Sequence, residues 1–112
     1  MTSVDVLVVG AGPSGLVTAL CLAQNGLRVR IIDKLTTPRR GQKGSGIQPR
    51  TLELYKELGV LDDLQKRAEL AQPIVHYKLP GGTEVVREFA MIPRVDSTPD
   101  TPYANILMLG QD

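Results

Sequence analysis

The sequence predicts an α/β chain that opens on a parallel strand–helix–strand unit and continues through helices into an antiparallel layer. Three observations predict it. The glycines Gly10, Gly12 and Gly15 stand between an apolar run and a segment of helical period. A second apolar run, Val29 to Ile32, ends in the acidic Asp33. Beyond Pro73 the apolar period changes to two.

Each part of the opening unit has a physical task. Val4 to Val9 is apolar on both faces apart from Asp5, as in a parallel strand covered by helices on both sides. Gly10 takes the chain through the tight turn, Gly12 lets a phosphate approach the main chain, and Gly15 lets the helix pack close to the strand. Pro13 suits the first helical turn, where its missing N–H costs no internal bond. The N–H groups of that turn, Ser14 included, then face an anion at the positive end of the helix dipole. Leu16, Ala19, Leu20 and Ala23 recur at helical spacing and predict one buried stripe. Asn25-Gly26 ends the helix, and Leu27 supplies the apolar contact after the cap. Asp33, about twenty residues beyond the glycines, is placed to accept hydrogen bonds from ribose hydroxyls, and an acid there disfavours a 2′-phosphate. The unit predicts a Rossmann-like dinucleotide site, the alternative being a βαβ unit with an empty turn.

Residues 34–49, with Pro38, Gly41, Gly44, Gly46 and Pro49, read as a long loop returning across that site. Its basic residues Arg39, Arg40 and Lys43 fit either a solvated loop or pairing with a pyrophosphate. A helix is predicted from Arg50 to Leu58, with Leu54, Tyr55 and Leu58 on one face and Gly59 as its stop. A second runs from Leu61 to Glu69, with Asp62 and Asp63 in its first turn and Lys66 and Arg67 near its end, complementing the dipole. Ile74 to Leu79 and Glu84 to Ala90 flank Pro80-Gly81-Gly82-Thr83 and predict a hairpin. Residues 93–102 are a polar connector, and Asn105 to Leu109 a last strand.

With 112 residues the chain is at most one small domain, and 13 Lys plus Arg against 12 Asp plus Glu give no reason to expect nucleic acid or membrane as a partner. Cys21 is the single cysteine and reads as a helical packing residue, so no intramolecular disulfide can form. The chain has no run of 18 apolar residues and its start carries no basic leader, which points to a cytoplasmic protein. His76, on the strand face opposite Val75, Tyr77 and Leu79, reads as a surface residue. Asp62 and Asp63 read as helix-start residues rather than a catalytic pair. No catalytic or metal-binding residue is assigned. Two parallel strands and one crossover helix leave sheet edges open and one face thinly covered, so the domain reads as incomplete.

The string Gly46-Ile47-Gln48-Pro49-Arg50-Thr51-Leu52-Glu53, the opening Val9-Gly10-Ala11-Gly12-Pro13-Ser14-Gly15, and the closing stretch from Pro102-Tyr103 to Leu107-Met108-Leu109-Gly110-Gln111 together resemble the FAD-dependent aromatic hydroxylases. These flavoprotein monooxygenases include phenol hydroxylase and p-hydroxybenzoate hydroxylase, and the likeness covers essentially the whole chain. It implies an adenosine end of FAD held by Gly10, Gly12, Pro13, Ser14, Gly15, Asp33 and Lys34. It also implies cofactor contacts from Lys43, which keeps the charge of the family's usual Arg but not its bidentate fork, and from Gln111. On the residues alone Gln111 is equally a polar strand end, and Arg50 either positions the cofactor or braces its helix. In the family NAD(P)H reduces the flavin, and oxygen passes to an electron-rich aromatic small molecule; the flavin carries that chemistry.

The resemblance makes residues 1–112 the N-terminal part of an FAD-binding monooxygenase domain. Residues 1–72 form its nucleotide-binding βαβ unit and helices, and 73–112 begin an antiparallel, substrate-side layer. The family's downstream Gly-Asp and Asp-Gly segments are missing, so the 112-residue chain by itself is expected to be inactive. The alternatives are a truncated nucleotide-binding fragment or interaction module without catalysis, and an NAD-binding dehydrogenase unit, against which the Gly46 to Glu53 string argues. Substrate identity, NADH against NADPH, and oligomeric state are open at this point.

Overall fold

The computed structural model describes residues 3–37 and 43–110. It divides into two compact units that part at residues 41/42.

The first unit contains β1 (Val6–Val9), α1 (Pro13–Gln24) and β2 (Val29–Ile32). The strands pair in parallel, from Val6 opposite Val29 to Val9 opposite Ile32. This is the predicted βαβ unit, with β1 starting two residues later than the apolar run. Asp5 explains the delay. Its carboxylate accepts from the Arg28 main-chain N–H at 2.9 Å and from the guanidinium at 2.7 and 3.1 Å, tying the chain together just below both strands. The Arg28 side chain holds the Asp5 carboxyl below its ordinary pKa.

Helix α1 packs on the sheet face that carries Val6, Val8, Val29 and Ile31, all half-buried. The expected stripe needs correction. Ala19 and Leu20 are half-buried, as are Gly15, Val17 and Leu22, but Leu16 and Ala23 are exposed. A two-stranded sheet is narrower than the apolar arc of the helix, so it covers only part of that arc. Cys21 is exposed too and is not the packing residue the sequence suggested. The helix ends as predicted: the Gly26 N–H reaches the Ala23 carbonyl at 3.0 Å and the Leu27 N–H the Leu22 carbonyl at 3.1 Å, a Schellman cap with Gly26 at φ +80°.

The second unit holds β3 (Gly46–Ile47), α2 (Pro49–Glu57), α3 (Leu61–Gln65), β4 (Glu69–Leu70), β5 (Ile74–Tyr77), β6 (Val85–Phe89) and β7 (Leu107–Met108). The last strand is central: β3 and β4 flank β7, both antiparallel to it. Neither flanking strand was predicted. Gly46 and Ile47 lie in a stretch read as loop, and Glu69 was read as the end of a helix. Each is two residues long, too short to show a period. Helix α3 instead stops at Gln65, and Lys66 turns back to pair with Asp63 at 2.6 Å.

Helix α2 closes on Gly59 with the same Schellman bonds, Gly59 to Lys56 and Val60 to Tyr55, each 3.0 Å. Its inner face is Leu52, Tyr55 and Leu58 rather than the expected set with Leu54, which is half exposed. Leu52 and Leu61, each 1% exposed, are the only fully buried hydrophobic residues among those described. Strands β5 and β6 form the predicted hairpin, with a register shift between His76 and Tyr77. Its Lys78 main chain is bonded to Glu84 and Gly82. His76 is exposed and stacks edge-on against Phe89, with ring centroids 5.3 Å apart, while the Arg87 guanidinium covers the same ring at 4.6 Å. Asn105 accepts from the Val95 N–H at 2.9 Å and donates to its carbonyl at 2.8 Å, closing the polar connector before β7.

Candidate functional site

The first unit brings Gly10, Gly12, Pro13, Ser14, Gly15, Asp33 and Lys34 together where both parallel strands end and α1 begins. In-register pairing makes this so: β1 and β2 stop at the opposed pair Val9 and Ile32, so Gly10 and Asp33 leave the sheet side by side. The Gly10 N–H adds one more rung by reaching the Ile32 carbonyl at 2.7 Å.

The three glycines stand in different situations. Gly10 turns at φ +107°, a conformation other residues rarely adopt. A Cβ on Gly15 would lie 1.9 Å from the Gly10 carbonyl oxygen, so only a glycine lets the helix start this close to the turn. Gly12 has an ordinary φ of −74°, and a Cβ there would meet nothing within 4 Å. Nothing among the described residues therefore demands a glycine at Gly12. The space beside it suits a group approaching the main chain from outside.

The start of α1 leaves its main-chain donors open. Gly12, its N-cap, offers no side-chain cap, and Pro13 occupies the first helical position. The first turn carries no acidic residue. The Leu16 N–H closes on the Gly12 carbonyl at 2.9 Å, and no described residue accepts from the N–H groups of Ser14 or Gly15. Unsatisfied donors and the positive end of a dipole at one place suit a phosphate.

Asp33 is more committed than the sequence indicated. Its Oδ2 accepts from the Ala11 N–H at 2.7 Å and its Oδ1 from the Leu35 N–H at 2.9 Å. These two main-chain donors, first Ala11 and then Leu35, hold the carboxyl below its usual pKa, with a further contribution from the Lys34 charge. An ionised carboxylate offers about four acceptor directions, more than these main-chain donors use. Ala11 is the site residue that sequence reasoning missed. No sequence signal marks it, because the contact depends on the strand register that sets Gly10 and Asp33 side by side.

The remaining candidates fall elsewhere. Lys43 is exposed in the second unit. Gln111, Arg39 and Arg40 lie outside the described residues. The Arg50 guanidinium donates to the Glu53 carboxylate one turn along α2, which is a bracing contact. Among the described residues no group of three or more His, Cys, Asp or Glu side chains could hold a metal ion. No helix among them is long and apolar enough to cross a membrane.

The sequence profile described as "FAD binding domain" matches residues 3–112. The chain belongs to this FAD-binding family. A flavin-dependent monooxygenase of Mycobacteroides abscessus is 30% identical over 110 residues, which are 95% of this chain and 22% of the relative. The 6-methylpretetramide 4-monooxygenase of Streptomyces rimosus is 35% identical over 108 residues, covering 96% of this chain and 18% of its own length. Among solved structures, the ternary complex of aklavinone-11 hydroxylase with FAD and aklavinone superposes with a TM-score of 0.68 at 31% identity, over 100% of this chain and 22% of that one. The chain thus spans about a fifth of the length of the relatives it matches. The uncapped start of α1 and the acidic residue at the end of β2 fit a nucleotide such as FAD.

Proposed function

We propose that this chain is the N-terminal, adenosine-holding part of an FAD-dependent monooxygenase that hydroxylates a small aromatic molecule, with NAD(P)H as reductant, in the cytoplasm. The observation that carries the proposal is the start of α1: an uncapped helix whose Gly12 faces open space while Gly15 and Asp33 fix the turn beside it. The names of the relatives, monooxygenases and hydroxylases throughout, support the same reading.

In this reading the N–H groups of Gly12, Ser14 and Gly15 bind the pyrophosphate. Pro13 presets the first turn, and Gly10 directs the chain under it. Asp33 accepts from the ribose hydroxyls with the lone pairs its main-chain donors leave free. Lys34 sets a positive charge beside that carboxylate, and the resemblance to the FAD-dependent hydroxylases assigns further cofactor contacts to Lys43 and Gln111. When bound, FAD supplies the redox centre that activates oxygen for transfer to the substrate. The chain's own residues bind and orient it, and none is assigned an acid–base role. Residues 1–72 serve the nucleotide and 73–112 begin the layer facing the substrate.

The test is to follow the reading frame past residue 112 and purify the polypeptide it encodes. The proposal expects a Gly-Asp segment downstream, a stoichiometric oxidised-flavin spectrum, and NAD(P)H consumption coupled to hydroxylation of a phenolic compound in a screening panel. A stop directly after Asp112, or a long polypeptide that binds no flavin, contradicts it.

A further inference from the structure

We infer that Asp33 is a positioning residue for the phosphate-binding turn in addition to a ribose contact: through the Ala11 N–H it fixes the peptide plane that aims the following donors. The inference rests on the nucleotide-binding reading above. Its basis is that one peptide unit, Gly10–Ala11, is held at both ends. Its carbonyl oxygen lies against Gly15, so close that a Cβ there would be 1.9 Å away. Its N–H, on the opposite side of the same plane, donates to Asp33 Oδ2 at 2.7 Å, from a residue 22 positions away in the chain.

Asp33 is itself anchored, because its second oxygen takes the Leu35 N–H at 2.9 Å. The residue before the clamped peptide is fixed as well, through the 2.7 Å bond from the Gly10 N–H to the Ile32 carbonyl. Only Gly12 separates this peptide from Pro13, so its orientation sets where the Gly12, Ser14 and Gly15 N–H groups point. The geometry also removes the Ala11 N–H from the donors open to a phosphate. A hydrogen bond to an ionised acceptor is stronger than a neutral one, which suits Asp33 to the task.

The two roles of Asp33 separate with a ligand that has no ribose. Inorganic pyrophosphate is titrated by NMR into the whole 112-residue chain and into Asp33→Ala and Asp33→Asn. A carboxylate that only contacts ribose repels pyrophosphate, so its removal leaves binding unchanged or tightens it. A positioning carboxylate gives the opposite sign. Asp33→Ala is then expected to weaken pyrophosphate by about fivefold or more. Asp33→Asn, whose amide oxygen can still accept from Ala11, is expected to restore it to within about twofold.

A second measurement needs no variant. In the wild-type chain the Ala11 amide resonance is expected to titrate with the Asp33 carboxyl, at one shared midpoint below the ordinary carboxylate range. Unchanged or tighter pyrophosphate binding in Asp33→Ala, or an Ala11 amide that does not follow Asp33, overturns the inference and leaves the nucleotide reading standing. A wild-type chain that binds neither pyrophosphate nor ADP overturns both.

Discussion

Gly12 and Gly15 look alike in the sequence and do opposite work. Gly15 answers to the protein, because a side chain there would overlap the Gly10 carbonyl. Gly15→Ala is therefore expected to destabilise the first unit by roughly 3 kcal/mol, read as a lower urea midpoint with an unchanged slope. A Cβ on Gly12 would meet nothing within 4 Å, and in the proposed function that residue answers to the ligand instead. Asp33 and Asp5 act at the same scale and give the unit a pH dependence. Both carboxyls are held below their ordinary pKa, Asp33 by the Ala11 and Leu35 N–H groups and Asp5 by Arg28. A folded-state pKa below the unfolded value contributes stability that is whole above about pH 4 and is lost as pH falls through the lower folded value. Denaturant midpoints measured between pH 7 and pH 2 should hold level down to about pH 4 and then fall. In Asp33→Asn the fall should be shallower. The sequence showed which residues these are, since type and spacing identify the glycines and the acid. It did not show that Asp33 bonds to Ala11, because that contact depends on strand register.

Elements of ordinary length were legible, and elements of two residues were not. The helices declared themselves through their stops: Gly26 and Gly59 both take a positive φ and both close Schellman bonds onto the preceding turn. An L-residue in that conformation costs about 1–2 kcal/mol, so Gly26→Ala and Gly59→Ala should each lower stability by that amount in equilibrium unfolding. Equal stability for both variants would show that these caps do not set the helix ends. The hairpin was legible through its period of two and the Pro80-Gly81-Gly82-Thr83 turn. Strands β3 and β4 were hidden because their pairing partner, β7, lies near the far end of the chain. Only tertiary pairing makes strands of Gly46–Ile47 and Glu69–Leu70. Burial on α2 was misread for a related reason: Leu52 and Leu54 are equally apolar, and only tertiary packing leaves the first buried and the second half exposed.

At the scale of the molecule, the apolar surface agrees with a chain a fifth the length of its relatives. On the face of β1 and β2 away from α1, Leu7, Val9 and Ile32 are 52%, 76% and 45% exposed. That pattern is foreign to parallel strands, which are ordinarily covered on both faces. It was foreseeable from the sequence, where β1 is apolar on both sides but only one crossover helix is present. Half of a cradle binds weakly, so the 112-residue chain should lose flavin during purification; a stoichiometric flavin spectrum after gel filtration would contradict this. The adenosine end alone should still be recognised, since all of its proposed main-chain donors lie in the first unit. The most direct test of the central claim is an NMR titration of the chain with ADP, wild type beside Gly12→Ala. Saturable shifts confined to residues 10–15 and 33–35 are expected in the wild type. Binding at least about tenfold weaker is expected in Gly12→Ala, with stability changed by less than about 1 kcal/mol. Equal ADP affinity in the two proteins, or shifts that miss the start of α1, would contradict the claim.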